Sequence, residues 1–189
     1  KQSKSSAKAK KQKRIVVIGS GTGVFNVLTG LRDYPDYYLT AIVSTADNGG
    51  SSGVLREEFG ILPPGDIRRA LVALSSCSPI LAQLFNYRFD SNSSLKGHSF
   101  GNLFITALEK ITNDFNQAIK EAGNILAIKG EVIPVSLDNT QLVAKLENNE
   151  FVIGETNIDV PKHNPELKIQ RVFLSPEAKA NPEAIQAIK

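Results

Sequence analysis

The sequence lacks most of the features that would tie a protein to a membrane or to an oxidising compartment. Its 189 residues include one cysteine, Cys77, which excludes a disulfide within the chain and fits a reducing compartment. No apolar run approaches the ~20 residues that a membrane helix needs, and the N-terminal residues lack the apolar segment of a signal peptide. These absences predict a cytoplasmic protein without a membrane span.

Acidic residues are missing from the N-terminal part of the chain. Residues 1–14 hold seven of the 22 Lys and Arg residues, so the rest of the chain carries 15 basic against 19 acidic residues. Because this segment is also poor in apolar residues, we predict a disordered basic tail over residues 1–13. Such a tail could contact nucleic acid or anionic lipid, or remain solvated. Elsewhere in the chain we expect no nucleic-acid contact. The sequence does not distinguish a monomer from a homo-oligomer.

A glycine-rich loop follows the first predicted strand. The β-branched run at 15–18 indicates a strand buried on both faces of a parallel sheet. The loop at 19–23, with the sequence GSGTG, permits positive φ and lets a ligand approach the backbone. A helix beginning at Thr22 or Gly23 would add free N–H groups and a favourable dipole, which is typical of a phosphate site.

A second loop of similar character follows the next predicted strand, 39–45. It spans residues 47–53 and is rich in glycine and serine, with Asp47 at its start. Loops at the carboxyl ends of successive parallel strands face one crevice. We therefore expect the ligand site in the crevice between these two loops.

A helix predicted over 67–75 brings arginine to the same region. Asp66 is predicted as its N-cap, after a stiff segment that ends at Gly65. Arg68 would lie in the first helical turn, where the dipole disfavours a cation, so we expect its guanidinium to face an anion in the crevice. Arg69, turned ~100° further around the helix, should point away.

Two further residues lie around the predicted start of another helix, near Ser99. His98 is predicted to make a hydrogen bond at the helix entry or to contact ligand, because the sequence offers no evident partner that would orient it as a general base. Gly101 in a first helical turn suggests that another backbone or a ligand approaches closely.

The order of predicted elements indicates one domain over residues 14–189. It reads βαβααα, then a β-meander at about 131–153, then βα. This order predicts a Rossmann-like, doubly wound α/β fold with a mainly parallel sheet, helices on both faces and a small antiparallel β insertion.

The first loop matches known phosphate-binding patterns only in part. It lacks the Gly-Lys-Ser/Thr of the P-loop, which argues against Walker-type ATPase chemistry. Gly19 and Gly21 match the first two glycines of the dinucleotide fingerprint, but Val24 occupies the third position. With Asp47 as the ribose-binding acid, an NAD(P)-binding oxidoreductase remains an alternative, and so does a purely structural loop.

Four separated motifs together resemble one family. They are GSGTG at 19–23, ADNGGSSG at 46–53, LPPGDIR at 62–68 and GHSFGN at 97–102. In this order they resemble the YvcK-type gluconeogenesis factors, which are related to 2-phospho-L-lactate transferase. The resemblance extends from about Arg14 to the C-terminus.

The resemblance implies a Rossmann-like fold and a nucleotide or nucleotide-sugar ligand. For the gluconeogenesis factors it implies a cytoplasmic role in cell shape and envelope growth on gluconeogenic carbon, with ligands of the UDP-N-acetylglucosamine type. For the related transferases it implies transfer of phospholactate to a deazaflavin alcohol, with a nucleotide-activated donor and Mg²⁺.

The sequence departs from the family pattern in two respects. It has Asp47 and Asn48 where the family usually has paired aspartates, which weakens a magnesium site because hard cations prefer charged oxygens. Ser20 replaces a usual glycine. Family members also continue with another strand and a second glycine-rich loop, so a fragment and a truncated paralogue both remain open.

The candidate site therefore contains no assigned catalytic residue or metal ligand, and Mg²⁺ belongs only to the transferase alternative. The predicted nucleotide- and phosphate-binding residues are Gly19, Gly21, Thr22, Gly23, Asp47, Asn48, Gly49, Gly50, Ser51, Ser52, Gly65, Asp66, Arg68, His98 and Asn102.

Overall fold

The structure is a computed structural model that describes residues 12–90, 93–160 and 164–189. Most of the predicted basic tail lies outside these residues, and Lys13 already belongs to the first strand. In chain order the elements are β1 (Lys13–Gly19), α1 (Gly21–Leu31), β2 (Tyr37–Val43), α2 (Gly50–Phe59), α3 (Gly65–Leu74), α4 (Pro79–Asn86), α5 (Phe100–Thr112), α6 (Phe115–Ile125), β3 (Glu131–Pro134), β4 (Gln141–Leu146), β5 (Phe151–Ile153), α7 (Glu155–Asp159), β6 (Ile169–Ser175) and α8 (Pro182–Ile188).

The central sheet is parallel and has the order β1-β2-β3. Along β2, Leu39 and Ala41 face a large apolar cluster to which α1, α3, α5 and α6 contribute, whereas Ile42 packs with α8 on the opposite face. Because both sides of β2 are buried, the strand has the continuously apolar sequence of a central parallel strand. The predicted α/β fold with helices on both faces is confirmed.

A second, antiparallel sheet has the order β5-β4-β6. The predicted meander at 131–153 was wrong in its first strand, because β3 pairs in parallel with β2 in the central sheet. Val132 and Ile133 are buried in the clusters on opposite faces of that sheet, as a central position requires. The strand that completes the antiparallel sheet is β6, which comes later in the chain.

Helix α3 begins two residues earlier than expected. Pro64 is its N-cap and Asp66 lies in its first turn, so the prediction of Asp66 as the N-cap was wrong. Proline suits this end because the first helical turn leaves N–H groups without helical partners. The consequence for the site is that the Asp66 side chain does not cap the helix and is free to face the crevice.

Helix α5 confirms both local predictions for its start. The Ser99 Oγ accepts a hydrogen bond of 3.2 Å from the N–H of Asn102. A Cβ added to Gly101 would lie 2.6 Å from the carbonyl oxygen of Phe85, so the closely approaching group is the backbone of α4. Glycine therefore allows α4 and α5 to pack together.

Among residues 12–90, 93–160 and 164–189, every helix is too short or too polar to span a bilayer.

Candidate functional site

A polar crevice of about 400 Å³ lies beside the ends of β1 and β2. It is formed by the loop after β2, the N-terminal turns of α2 and α3, and α7, the short helix that follows β5 of the second sheet. The crevice is lined by Ser20, Gly21, Asp47, Gly49, Gly50, Ser51, Ser52, Gly65, Asp66, Arg68, Arg69, Arg88, Asn102, Glu155, Thr156 and Asp159. The two predicted loops therefore meet at one crevice.

Close packing between the second loop and α3 shapes the floor of the crevice. A Cβ added to Gly65 would lie 2.4 Å from the Ser52 Oγ and 3.3 Å from the Asp47 Oδ2. Only glycine lets the start of α3 approach the loop this closely. Asp47 in turn accepts a hydrogen bond of 2.7 Å on its Oδ1 from the N–H of Gly49, which holds the carboxylate against its own loop.

A chain of buried hydrogen bonds lies along one wall. The Arg68 Nε donates to the Asn102 Oδ1 at 3.0 Å, and the Asn102 Nδ2 donates to the Ser51 Oγ at 3.1 Å. The Ser51 Oγ also lies 3.1 Å from the Nδ1 of His98. Four predicted site residues from three motifs are thus joined, which fixes the orientation of the groups that reach the crevice.

Arg68 is a buried cation bonded to neutral groups. It is 6% exposed, and its Nη1 donates to the Asn86 Oδ1. Among the described residues no carboxylate forms an ion pair with it, and its Nη2 has no hydrogen-bond partner. Burial, followed by the charges of Arg69 and Arg88, lowers the pKa of Arg68 to about 10. An anion in the crevice would relieve this crowding of guanidinium groups.

Carboxylates also line the crevice. Burial and then the nearby Asp47 raise the pKa of Asp66, while the Gly21 N–H and Arg69 act in the opposite direction. Partial burial and then Asp47, Asp66 and Asp159 raise the pKa of Glu155. The crevice lining therefore contains arginines that suit phosphate and carboxylates that can accept hydrogen bonds from hydroxyl groups.

Magnesium prefers charged oxygen ligands, which carboxylates of the crevice could offer. In the described part of the chain no group of three or more His, Cys, Asp or Glu side chains could hold a metal ion. Mg²⁺ in phosphate chemistry is usually held by one or two carboxylates together with substrate phosphates. The charge of Asp47 raises the pKa of Asp66, so these two carboxylates are near each other. They are the residues that would hold a magnesium ion if a bound phosphate carried one.

The structure separates the predicted site residues into two sets. Ten of the fifteen line the crevice, namely Gly21, Asp47, Gly49, Gly50, Ser51, Ser52, Gly65, Asp66, Arg68 and Asn102. Gly19, Thr22, Gly23, Asn48 and His98 lie outside the lining. The N–H of Gly21 acts to lower the pKa of Asp66, and Thr22 and Gly23 are on the exposed part of α1. Of the loop 19–23, Ser20 and Gly21 are therefore the residues that border the crevice.

Asn48 joins the loop to the second sheet. Its Oδ1 accepts hydrogen bonds from the N–H and the Oγ1 of Thr156, at 3.1 and 3.3 Å. A Cβ added to Gly154 would lie 2.1 Å from the Asn48 Nδ2, and Gly154 has a φ of +94° that favours glycine. The side chain predicted to contact ligand thus holds α7 in place over the crevice.

Several lining residues were missed by the sequence analysis. Glu155, Thr156 and Asp159 belong to α7, and no local sequence motif connects this segment to the crevice. Arg88 follows α4 and gives no sequence signal beyond its charge. Arg69 was expected to point away, and this was wrong, because its guanidinium lies 4.0 Å from the Asp66 carboxylate on the lining.

The raised pKa of Asp66 leads to a prediction on stability. In the folded state this carboxyl binds its proton more tightly than in the unfolded chain, so its ionisation lowers stability as the pH rises from 3.8 through the raised value. Asp66→Asn should therefore raise the melting temperature by a few degrees at neutral pH, and the amide oxygen can still accept from Gly21. The advantage should shrink as the pH falls toward 3.8.

Melting curves between about pH 4 and 8 test this prediction. Glu166→Gln serves as the control, since it removes an exposed carboxylate of the same charge that does not line the crevice. An advantage of Asp66→Asn that stays constant or grows at low pH would contradict the assigned effect of burial and Asp47.

Comparisons with known proteins agree with the motifs. Residues 15–189 match the family described as 2-phospho-L-lactate transferase CofD. The chain is 48% identical over 176 residues to a putative gluconeogenesis factor of Thermotoga maritima. The matched region covers 93% of this chain and 54% of that protein. It is 43% identical over 177 residues to the gluconeogenesis factor of Bacillus subtilis, with coverage of 93% and 54%.

A crystal structure of a protein from Bacillus halodurans has the same fold. It aligns with a TM-score of 0.85 at 44% identity, over 95% of this chain and 56% of that chain. This chain spans about half the length of the curated relatives named above. The similarity to these relatives covers both loops, α3 and the start of α5. The chain therefore belongs to the CofD family, and it resembles members of that family that are named gluconeogenesis factors.

Proposed function

We propose that this protein binds a nucleotide sugar of the UDP-N-acetylglucosamine class in the crevice, without obligatory turnover. In the cell the bound protein would act as a gluconeogenesis factor, in the control of cell shape and envelope growth on gluconeogenic carbon. The observation that carries the proposal is Arg68, a buried guanidinium that bonds to neutral amides and is crowded by two other arginines.

The arginines of the lining support a diphosphate as the central recognised group. The Nη2 of Arg68 is available beside Arg69 and Arg88, which also line the crevice. Guanidinium groups bind phosphate oxygens through charge-assisted hydrogen bonds that are stronger than neutral ones. A diphosphate carries enough negative charge to engage more than one of these side chains.

The carboxylates of the lining support a sugar as the neighbouring group. Asp47, Glu155 and Asp159 all line the crevice. Sugar hydroxyl groups donate hydrogen bonds, and ionised carboxylates only accept them. A ligand with a charged diphosphate and a hydroxyl-rich sugar therefore has partners of both kinds in the crevice.

Calorimetric titration tests the proposed function. UDP-N-acetylglucosamine should bind this chain, and NAD and GTP should bind more weakly or not at all. Parallel titrations of the longer Thermotoga maritima relative give a comparator of known similarity. Absence of binding for all UDP-sugars in both proteins, or preferential binding of NAD or GTP, would overturn the proposal.

A phosphoryl-group transferase is the second candidate. It is favoured by the family match to 2-phospho-L-lactate transferase and by the neighbouring carboxylates of Asp47 and Asp66, which fit a phosphate-bound magnesium ion. Magnesium would supply charge neutralisation at the phosphoryl group, and Arg68 would hold the same group in position. Magnesium-dependent product formation from a deazaflavin alcohol would favour this candidate. Ligand binding that is insensitive to Mg²⁺ would count against it.

A further inference from the structure

We propose that His98 is a positioning residue for the phosphate of the bound ligand, because protonation of its ring turns the Ser51 hydroxyl toward the crevice. His98 itself does not line the crevice, whereas Ser51 does. The inference rests on the proposed function, since it names how the protein recognises the phosphate of that ligand and how pH regulates its binding.

The direction of the buried hydrogen-bond chain is fixed at its Arg68 end. A guanidinium group can only donate, so the Asn102 Oδ1 accepts from the Arg68 Nε at 3.0 Å. The other half of the Asn102 amide is the Nδ2, which also can only donate, and it lies 3.1 Å from the Ser51 Oγ. The Ser51 Oγ is therefore the acceptor in this second bond.

The Ser51 hydroxyl keeps one donor and one further acceptor site after it accepts from Asn102. Its other protein neighbour is the Nδ1 of His98, at 3.1 Å. Ser51 and His98 are 6% and 9% exposed, so water competes little for this contact. The presence or absence of a proton on Nδ1 therefore decides whether Ser51 donates to the histidine or accepts from it.

The two states of His98 give the crevice two different hydroxyl orientations. When Nδ1 carries no proton, Ser51 donates to it and presents a lone pair to the crevice, which a phosphate oxygen cannot use. When the ring is an imidazolium, its Nδ1–H donates to Ser51, and both acceptor sites of the hydroxyl are filled. The Ser51 O–H is then left to donate into the crevice. Phosphate therefore fits the protonated state of His98.

The start of α2 favours a phosphate beside this hydroxyl. Ser51 is the second residue of the ten-residue helix α2. The first turn of a helix leaves N–H groups without helical partners, and the helix dipole favours an anion there. A phosphate attracted to this turn lies within reach of the Ser51 O–H. The hydroxyl then adds a directed hydrogen bond to an attraction that is otherwise non-specific.

The charged side chains that the neighbouring elements bring toward His98 are positive. Arg68 of α3 begins the hydrogen-bond chain, and Arg88, which follows α4, donates to the carbonyl oxygen of Gly97, directly before His98. Lys96 precedes His98 by two residues. Within residues 12–90, 93–160 and 164–189, no carboxylate forms a hydrogen bond or an ion pair with His98. The negative charge that favours the imidazolium therefore comes with the ligand, and phosphate binding takes up a proton.

Calorimetry with UDP-N-acetylglucosamine tests the proton uptake. The diphosphate of this ligand is esterified at both ends and does not itself titrate near neutral pH. Titrations in two buffers of different ionisation enthalpy should show net proton uptake, and the affinity should fall by about fivefold between about pH 6 and 8. His98→Asn places an amide beside Ser51 that does not titrate, so it should lose most of both effects. Asp66 and Glu155 line the crevice in both proteins, so the difference between the two proteins reports His98.

Nitrogen NMR of the wild-type imidazole rings gives a second readout that does not depend on the stability of a variant. The chain has two histidines, so the His98 signal can be assigned separately. At about pH 7.5 the Nδ1 of His98 should be unprotonated in the free protein and protonated in the complex with UDP-N-acetylglucosamine.

The outcomes separate this inference from the proposed function. A bound UDP-sugar with Nδ1 still unprotonated, or equal proton uptake in a folded His98→Asn, would overturn the role of His98 and leave the proposed function standing. Failure of all UDP-sugars to bind would overturn the proposed function. The His98 signal is then measured with inorganic pyrophosphate, and a signal that does not change would overturn the role of His98 as well.

Discussion

Replacing Arg68 by alanine should weaken binding of UDP and UDP-sugars by about tenfold or more, which corresponds to the 1.5–3 kcal/mol of a hydrogen bond to a charged group. The guanidinium is held by Asn86 and Asn102 with its Nη2 available at the crevice, so it is already oriented before a phosphate arrives. Pre-orientation limits the conformational entropy that binding removes.

The same substitution should also lower the melting temperature. Removal of a cation from the first turn of α3 would by itself slightly stabilise the helix, because the helix dipole disfavours a cation there. The loss of contacts outweighs this gain, because the Arg68 side chain joins α3 to the end of α4 and to α5. Its loss leaves the buried Asn102 carbonyl without its donor, and such a group destabilises by about 1–3 kcal/mol.

Two variants separate the binding effect from the folding effect. Arg68→Lys keeps a cation at the buried position, so it should bind UDP better than Arg68→Ala even if both are less stable. Arg171→Ala removes an exposed arginine on β6 and should change neither property. UDP titrations and melting curves of Arg68→Ala, Arg68→Lys and Arg171→Ala measure the two effects separately. Wild-type affinity in a folded Arg68→Ala would show that the phosphate does not reach this wall.

Gly53→Ala should destabilise the protein by about 1–3 kcal/mol and impair ligand binding as well. A Cβ at this position would lie 2.2 Å from the carbonyl oxygen of Asn48, which belongs to the backbone and cannot rotate away. The helix start or the loop must therefore shift. Because Asp47 precedes Asn48 directly, the shift should displace the carboxylate that faces the crevice.

Gly30→Ala is the matched control. It introduces the same methyl group within α1, where no heavy atom of the described residues lies within 4 Å of the added Cβ. Removal of glycine from a helix should stabilise the protein by about 0.5–1 kcal/mol. Thermal melting of the two variants should therefore show opposite changes in stability. UDP titration should show impaired binding for Gly53→Ala. Equal melting temperatures would contradict the close packing of Gly53 against the loop.

The sequence was most informative where the determining contacts are local. The Ser99 cap of α5 and the two polar loops each follow from neighbouring residues, and all occur in the structure. The β-branched run also forms a strand, but the prediction that this strand is buried on both faces was wrong, because β1 lies at the edge of the described sheet and Ile18 is 60% exposed. The loops converge because parallel strands place their carboxyl ends at one edge of the sheet. That rule connects residues far apart in the chain without any knowledge of side-chain contacts.

Prediction was poorer where long-range contacts decide the arrangement. From the sequence, Asn48 was predicted to be a loop residue that contacts ligand. In the structure its side chain instead accepts hydrogen bonds from Thr156, 108 residues further along the chain. The pairing of β3 with β2 depends on the same kind of information. A short apolar run has no local signal that distinguishes a parallel from an antiparallel partner.

By itself the sequence therefore determined the fold class, the family motifs and the edge of the sheet at which the crevice forms, because periodicity, turn chemistry and loop order are properties of short segments. The tertiary structure alone decided which of those residues face the crevice. In the tertiary structure the Asn48 side chain bonds to Thr156 and does not line the crevice, and Arg68 is buried between neutral amides. Glu155, which follows the second sheet's β5, lines the crevice. These outcomes depend on packing between distant segments, where a few ångströms decide whether a polar side chain meets a protein partner or remains available to a ligand.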